Sequence, residues 1–258
     1  MQYIHENNLL NKISSNHKGL KNEINIFYKN KYLPVKNTLN SLSFSKRNIS
    51  AFTTATKIIN DYYKEIELFS RKHSITSQSK FASTFLEEIS TYLFKDIPEI
   101  KTGEFGVFNK KIYAGLKIDK NRKIGLITKD VDFCIGKKVS ISIDGDSATE
   151  LILPIVAVEV KTYLDATMFG EIKSSSKAIR SASPNSKAYV LMGYKCLADE
   201  HIIAARQDSV LTEMFSLRKN EHSPIEADVL RNYWEEICKV ISEVSTPDVV
   251  RSVGRLLH

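Results

Sequence analysis

The chain has 258 residues, of which 42% are hydrophobic and 26% charged, so it can bury a core, and a wholly disordered protein is excluded. The net charge of +7 and the pI of about 9.1 favour a polyanionic partner such as nucleic acid. The sequence shows no secretory signal and no run of about 18 apolar residues, which predicts a cytoplasmic protein that does not enter a membrane.

The first part of the chain is predicted to be helical and basic. Residues 1–75 contain twelve Lys/Arg and five Asp/Glu, an excess equal to the net charge of the whole chain. Apolar side chains recur at helical spacing over 46–72, and again over 79–95 until Pro98 ends the second helix. We therefore expect at least two helices before the first strand.

After this helical part the hydrophobic period becomes that of β-strands. A helix with Asp165 as its N-cap is predicted at 165–181, and residues 200–220 indicate a helix followed by an edge strand. Pro154 interrupts the most apolar strand, so its buried part is expected to begin at Ile155. The strand-like segments lie at 104–118, 124–135, 150–161 and 188–194.

This order of elements predicts a mixed α/β fold in which a central mixed β-sheet is flanked by helices. Three regions are expected along the chain. They are a basic helical N-terminal region at 1–75, a core at 76–220 and a C-terminal helical region at 221–258.

Four charged residues interrupt apolar strands, where an unpaired buried charge is costly. Asp130 and Asp132 lie in ITKDVDFCIG, and Glu159 and Lys161 end ILPIVAVEVKTY. Side chains alternate along a strand, so Glu159 and Lys161 share one face. Glu-x-Lys occurs three times in the chain, but only here does it end a core strand. An internal ion pair is one interpretation, and a catalytic site is the other.

These strands resemble the PD-(D/E)XK nuclease superfamily. The resemblance rests on a strand with Asp132, a core strand ending in Glu159-Val160-Lys161, a helix and a short strand, and it covers about 76–195. The helix SKFASTFLEEISTYLFK resembles that family's first core helix. Val131 occupies the place of the name-giving proline, and the spacing from Asp132 to Glu159 is longer than in many members. The resemblance implies a restriction-endonuclease-like core with helical additions at both ends.

The stretch EVKTYLDATMFGEI further resembles type II restriction enzymes that cut sites with a CTNAG core. This resemblance implies a bacterial restriction-modification enzyme that cleaves double-stranded DNA at a short specific site. It also implies a homodimer, or half of a heterodimer if the site is asymmetric, and a cognate DNA methyltransferase as functional partner.

The chemistry implied is hydrolysis assisted by one or two Mg²⁺ ions, which prefer a few carboxylates together with waters and substrate oxygens. Lys161 would orient the attacking water and stabilise the developing negative charge. Two assignments stay open, because Asp130 competes with Asp132 and Glu87 competes with Glu88. The predicted metal ligands are Asp132, Glu159, the carbonyl of Val160 and Glu88.

DNA contacts are expected from cations outside the catalytic residues, with phosphate contacts positioning the duplex and base contacts specifying its sequence. For each single cation a solvated surface charge is the competing interpretation. The candidates are Lys173, Lys177, Arg180, Arg206, Gln207, Arg218 and Lys219.

Three alternative functions are compatible with the sequence. A nuclease of the same superfamily could act in repair or junction resolution. A catalytically silent DNA-binding subunit would bind without cutting, and a basic α/β protein could carry these charges for structural reasons alone.

Overall fold

A computed structural model describes residues 3–120, 122–142 and 147–245. These residues form one five-stranded sheet in the order β1-β2-β3-β4-β5. β2 pairs antiparallel with both β1 and β3, whereas β4 pairs parallel with both β3 and β5, so the sheet is mixed as predicted. The strands are β1 Gly106–Ile118, β2 Ile124–Ile141, β3 Thr149–Leu164, β4 Lys187–Lys195 and β5 Glu213–Ser216.

The helices lie before, between and after these strands, and the predicted helices at 46–72, 79–95 and 165–181 are confirmed to within a few residues. The carboxylate of Asp165 caps the helix after β3, as expected, by accepting a hydrogen bond of 2.8 Å from the amide of Met168. The helices are α1 Ile4–Ser14, α2 Lys21–Phe27, α3 Leu33–Ser41, α4 Ile49–Lys72, α5 Phe81–Phe94, α6 Pro98–Lys101, α7 Ala166–Ala182, α8 Asp199–Asp208 and α9 Ala227–Ser245, with a π-helical turn at Tyr28–Tyr32. Within the described ranges no helix is both long and apolar enough to cross a membrane.

One face of the sheet is covered by the helices that precede it together with α9. Phe85 of α5, Tyr233 of α9 and Phe133 of β2 belong to one buried cluster that also includes side chains of α1 and α4. The other face is covered by α7 and α8. The N-terminal helices therefore share a core with the sheet, and the division at 1–75, 76–220 and 221–258 stays a prediction, since 246–258 lie outside the described residues.

The strand β3 begins at Thr149, one residue before the predicted segment 150–161. Leu151 is buried but Leu153 is 37% exposed, and the continuously buried run begins at Val156, next to the expected start at Ile155. Pro154 is accommodated at a register shift opposite Gly136, where a Cβ on the glycine would lie 2.3 Å from the carbonyl oxygen of Leu153. A bulge of this kind tolerates a residue without an amide hydrogen.

Candidate active site

The strands β2 and β3 separate at Asp132. Their pairing runs from Ile141 opposite Thr149 to Phe133 opposite Val158, and beyond that point β2 pairs only with β1 and β3 only with β4. The separation opens the sheet beside the end of its most buried strand. Polar side chains can reach solvent there although the surrounding strands are apolar.

Asp132, Glu159 and Lys161 come together at this opening. The amide of Val160 donates a hydrogen bond of 2.7 Å to Asp132 Oδ2. The ammonium nitrogen of Lys161 lies 3.4 Å from Asp132 Oδ2 and 3.4 Å from Glu159 Oε2. The three side chains are only 16–30% exposed, so one ammonium is shared by two largely buried carboxylates.

The electrostatic balance of this group is negative. Burial, and then the charge of Asp132, raise the pKa of Glu159 to about 7. Burial alone would lower the pKa of Lys161, but attraction to Asp132 and Glu159 outweighs it and the pKa is raised. Lys161 is therefore an ammonium ion at neutral pH, and it does not fully compensate the carboxylates around it.

Glu87, and not Glu88, faces this group from α5. Burial, and then Asp132, raise the pKa of Glu87 to about 7, with a further contribution from Glu159. Lys161 acts in the opposite direction, as expected for a cation close to the same carboxylate. The structure therefore places Glu87, the residue considered as the alternative, with the acidic residues of β2 and β3.

The assignment of Glu88 to the site requires correction. Its carboxylate is fully buried between α5 and the N-terminal helices, on the side of α5 away from the sheet opening. Oε1 accepts hydrogen bonds from the hydroxyls of Tyr32 at 2.8 Å and Tyr92 at 2.5 Å, and Oε2 accepts from the amides of His5 at 2.8 Å and Glu6 at 3.2 Å. These amides belong to the first turn of α1, so Glu88 caps α1 from a distant point in the sequence.

His5 lies in the same buried network and is held as a neutral imidazole. The hydroxyl of Thr84 donates to the carbonyl of Lys80, so it accepts from Nδ1 of His5 at 2.9 Å, and Nε2 accepts from Tyr62 at 2.8 Å. Burial lowers the pKa of His5 from 6.5 to about 3. The folded protein therefore excludes a proton that the unfolded chain binds.

This network predicts a loss of stability in mild acid. The unfolded chain binds the extra proton below pH 6.5, so the free energy of unfolding falls as the pH drops toward the folded pKa of about 3. From pH 7 to pH 5 we expect His5 to account for a loss of about 2 kcal/mol. Urea unfolding of the wild type and of His5→Gln at both pH values measures it, because only the wild type carries this titration. Equal pH dependence in the two proteins would contradict the prediction.

Asp130, the competitor of Asp132, does not join the group. It is exposed, and its partner across the β1–β2 ladder is Lys111. Within the described ranges, no three His, Cys, Asp or Glu side chains are already arranged as a metal site. The carboxylates that the structure brings together are those of Asp132, Glu159 and Glu87.

The predicted DNA contacts fall into two groups. Those of α7 face the C-terminal end of α8, where Lys173 pairs with Asp208 and Arg180 donates to the carbonyl of Ser209. Lys177 and Arg180 line a shallow cleft between α7 and this end of α8. Because α7 returns along the sheet, Arg180 lies about 20 Å along the helix from its first turn next to β3.

The second group follows β5 at the same end of the sheet as Lys161. The amide of Arg218 donates to the carbonyl of Gly193 at 2.8 Å, and its guanidinium carbon lies 4.5 Å from the ring centre of Tyr63. Lys219 and Gln207 are exposed, whereas the side chain of Arg206 lies outside the described residues. Tyr63 was not predicted from the sequence; burial raises its pKa, and Arg218 and Glu87 act on it with opposite signs.

Comparison with known proteins identifies the family. The family model described as the Bpu10I restriction endonuclease matches residues 78–233, more than half of the chain. The chain belongs to the Bpu10I restriction endonuclease family. The match includes Glu87, Asp132, Glu159 and Lys161, whereas α1 to α4 precede it.

A solved structure shares the fold over nearly the whole chain. A chain of the native BbvCI A2B2 tetramer, determined at low resolution, aligns with a TM-score of 0.76 and 15% identity, covering 96% of this chain and 100% of that chain. At this identity the likeness shows the fold. No curated protein matches the chain.

Membership of the Bpu10I restriction endonuclease family confirms the prediction of a type II restriction endonuclease, an enzyme that binds and cuts DNA. The predicted restriction-endonuclease-like core is confirmed as well. A separate role in repair or junction resolution, and a protein whose charges are only structural, are not the functions of this family.

Proposed function

We propose that this restriction endonuclease hydrolyses duplex DNA at a short specific site in a Mg²⁺-dependent reaction, with Asp132, Glu159 and Lys161 as catalytic residues. The observation that carries the proposal is the convergence of these side chains where β2 leaves β3. Glu87 replaces Glu88 as the acidic residue that α5 contributes. A purely structural ion pair would explain the contacts of Lys161 with Asp132 and Glu159, but it would not explain why the carboxylate of Glu87 also faces them.

The donor set fits a magnesium ion. Mg²⁺ is commonly held by one or two carboxylates, with waters and substrate phosphate oxygens completing the shell. Asp132 and Glu159 provide two such carboxylates. Burial, and then the charge of Asp132, raise the pKa values of Glu159 and Glu87, and a bound cation would favour the charged forms of both. When bound, the ion would lower the pKa of a coordinated water and neutralise charge on the phosphate.

The carbonyl of Val160 is proposed as a third ligand. In an extended strand the amide and carbonyl of one residue point to the same side of the strand. The amide of Val160 points to Asp132, so its carbonyl faces the opening between β2 and β3. Asp132, Glu159 and the carbonyl of Val160 would hold one ion. A second ion, if bound, would lie near Glu87.

Lys161 is proposed to act as a cation. Its raised pKa makes it a poor proton acceptor, so a role as general base is not supported. A fixed ammonium beside the scissile phosphate would orient the attacking water and stabilise the charge that develops on the phosphoryl oxygens.

Arg218 is proposed to bind a phosphate near the cut. Strand pairing places it two strands from Lys161, or about 10 Å. Tyr63 covers one face of its guanidinium, and Nε is buried without a hydrogen-bond partner among the described residues. A phosphate would accept from the terminal N–H groups of this guanidinium. The α7 cations, Gln207, Arg206 and Lys219 stay candidates for more distant contacts.

A single chain provides one catalytic group, whereas cleavage of both strands needs two. We propose assembly with a second catalytic chain, as a homodimer or as half of a heterodimer. The related fold was solved as an A2B2 tetramer of BbvCI. A CTNAG-core site, a cognate methyltransferase and action in the bacterial cytoplasm complete the proposal.

Digestion of a long phage DNA tests this function. With Mg²⁺ we expect discrete fragments, or nicks at fixed positions on one strand if the second subunit is a different protein. EDTA should abolish both, and sequencing the ends would give the site and the stagger. A sequence-independent smear, or tight binding without any Mg²⁺-dependent cut, would contradict the proposal, the latter result indicating a catalytically silent subunit.

A further inference from the structure

A β-hairpin leaves the sheet beside the catalytic residues. β2 pairs with β3 only from Phe133 onward, but its pairing with β1 continues to Ile118 opposite Ile124. A two-stranded ribbon therefore extends beyond Asp132, with no third strand beside it in the part of the chain that the structure describes. We call residues 110–120 and 122–130 the hairpin arm.

The root of the hairpin arm is anchored and its tip is free. Ile112 and Val131 join Ile179 of α7 in one buried cluster, and a Cβ on Gly115 would lie 3.9 Å from that of Ala182. From 116 to 124 every residue that the structure describes is exposed. The arm therefore has a fixed base next to Asp132 and an accessible end.

The hairpin arm carries an excess of positive charge that no ion pair among the described residues neutralises. It contains seven Lys/Arg and two Asp. The carboxylate of Asp119 accepts from the amide of Lys123 at 2.9 Å and so serves the turn, and Asp130 lies opposite Lys111. Within the described ranges no ion pair is formed by Lys111, Lys117, Lys120, Arg122, Lys123 or Lys129.

Apolar side chains are exposed among these cations. Leu116, Ile118 and Ile124 near the tip are 55%, 75% and 42% exposed. Neighbouring apolar side chains of this size at the end of a ribbon favour contact with a partner. Combined with unpaired cations, they match a polyanion that also presents apolar edges, such as the thymine methyl groups and base edges of a DNA groove.

We propose that the hairpin arm lies in a groove of the duplex next to the cut, with its cations on phosphates and its apolar tip against the bases. A two-stranded ribbon fits the major groove. Beyond the anchored part, which ends at Gly115 opposite Ile127, the strand spans about 10 Å to Ile124, equivalent to roughly three base pairs. The inference rests on the proposed function in one respect: duplex DNA is the substrate.

Salt-dependent binding tests the arm. The probe is a random-sequence duplex of roughly 30 base pairs without added metal, so cleavage does not interfere. Each phosphate contact contributes about 0.9 to the slope of log K against log salt. We expect Lys117→Ala/Arg122→Ala/Lys123→Ala to reduce that slope by about 2 to 3 and to weaken binding at least tenfold at about 0.1 M salt.

The matched control removes the same charge elsewhere. Lys64→Ala/Lys101→Ala/Lys239→Ala replaces three exposed lysines that pair with acidic neighbours, and we expect it to leave the slope unchanged. An unchanged slope in the arm variant would overturn the inference even though the wild type binds and cuts. Failure of the wild type itself to bind or cut would instead reject the proposed function. If Ile118→Ser changed the mass of the protein assembly but left the slope of log K against log salt unchanged, the tip would be a protein-binding surface. That result also overturns the inference.

Chemical acetylation of the wild type gives a second measurement that needs no variant. Duplex DNA should protect Lys117, Lys120 and Lys123 from the reagent and leave Lys64 and Lys239 reactive. Equal reactivity of the arm lysines with and without DNA would contradict a groove-bound arm.

Discussion

Lys161→Ala is expected to reduce DNA cleavage by about 10³-fold while leaving DNA binding within a few-fold of the wild type. The ammonium lies 3.4 Å from both Asp132 and Glu159, so the substitution removes the cation nearest to the proposed position of the scissile phosphate. It also leaves two buried carboxylates facing each other without their cation. Single-turnover cleavage at saturating enzyme measures the loss of the chemical step separately from binding.

The control for Lys161 is Lys239→Ala, which removes an equally cationic side chain from α9, where it pairs with Glu243. We expect this variant to cleave like the wild type. Retention of near-normal cleavage in Lys161→Ala would show that the ion pair at the strand end is structural, and the catalytic assignment of all three residues would then be withdrawn.

Glu88→Gln is expected to destabilise the protein by about 3 kcal/mol. The substitution exchanges one carboxylate oxygen for an amide nitrogen, which cannot accept from the buried tyrosines or from the first-turn amides of α1. Burial raises the pKa of Glu88, while these four hydrogen bonds favour its charged form. Urea unfolding at neutral pH measures the change in the free energy of unfolding.

The neighbouring Glu87→Gln is the matched comparison, with the opposite pattern of effects. Burial, and then the charge of Asp132, raise the pKa of Glu87 to about 7, so a neutral side chain here removes the cost of burying a charge beside Asp132 and should not destabilise the fold. Cleavage should fall by about 10- to 100-fold, the range for residues that support a metal site. The assignment of roles along α5 would be reversed by two results together. They are impaired cleavage without loss of stability in Glu88→Gln, and unchanged cleavage in Glu87→Gln.

The choice between Glu87 and Glu88 illustrates what the local sequence pattern could not decide. The sequence left Glu87 and Glu88 as competing candidates, and Glu88 was the predicted metal ligand. In the structure α5 is covered on two sides, because α1 and α4 pack on its outer surface while the sheet packs on its inner surface. Along the sequence α5 has a polar side of Ser, Thr and Glu, and only the structure shows that Thr84, Glu88, Ser90 and Thr91 are buried on that side.

The predicted cations of α7 illustrate a related difficulty. In the sequence Lys173 and Arg180 looked like free surface charges. In the structure they contact Asp208 and Ser209 at the C-terminal end of α8, which lies beside α7 only in the folded protein. The cations of the hairpin arm were not selected from the sequence at all. Their strands looked like ordinary members of the sheet, and only the pairing register shows that β3 does not accompany them beyond Asp132.

Local sequence patterns were sufficient to predict the class of fold, most helix and strand positions, and the strand-end group Asp132, Glu159 and Lys161. These features depend on local periodicity and on the rarity of charge in apolar strands, both of which are visible along one chain. The three-dimensional fold was needed to establish which glutamate of α5 faces that group, which cations are already paired, and where a strand loses its neighbour. Each of these depends on contacts between segments far apart in sequence, which no local pattern specifies.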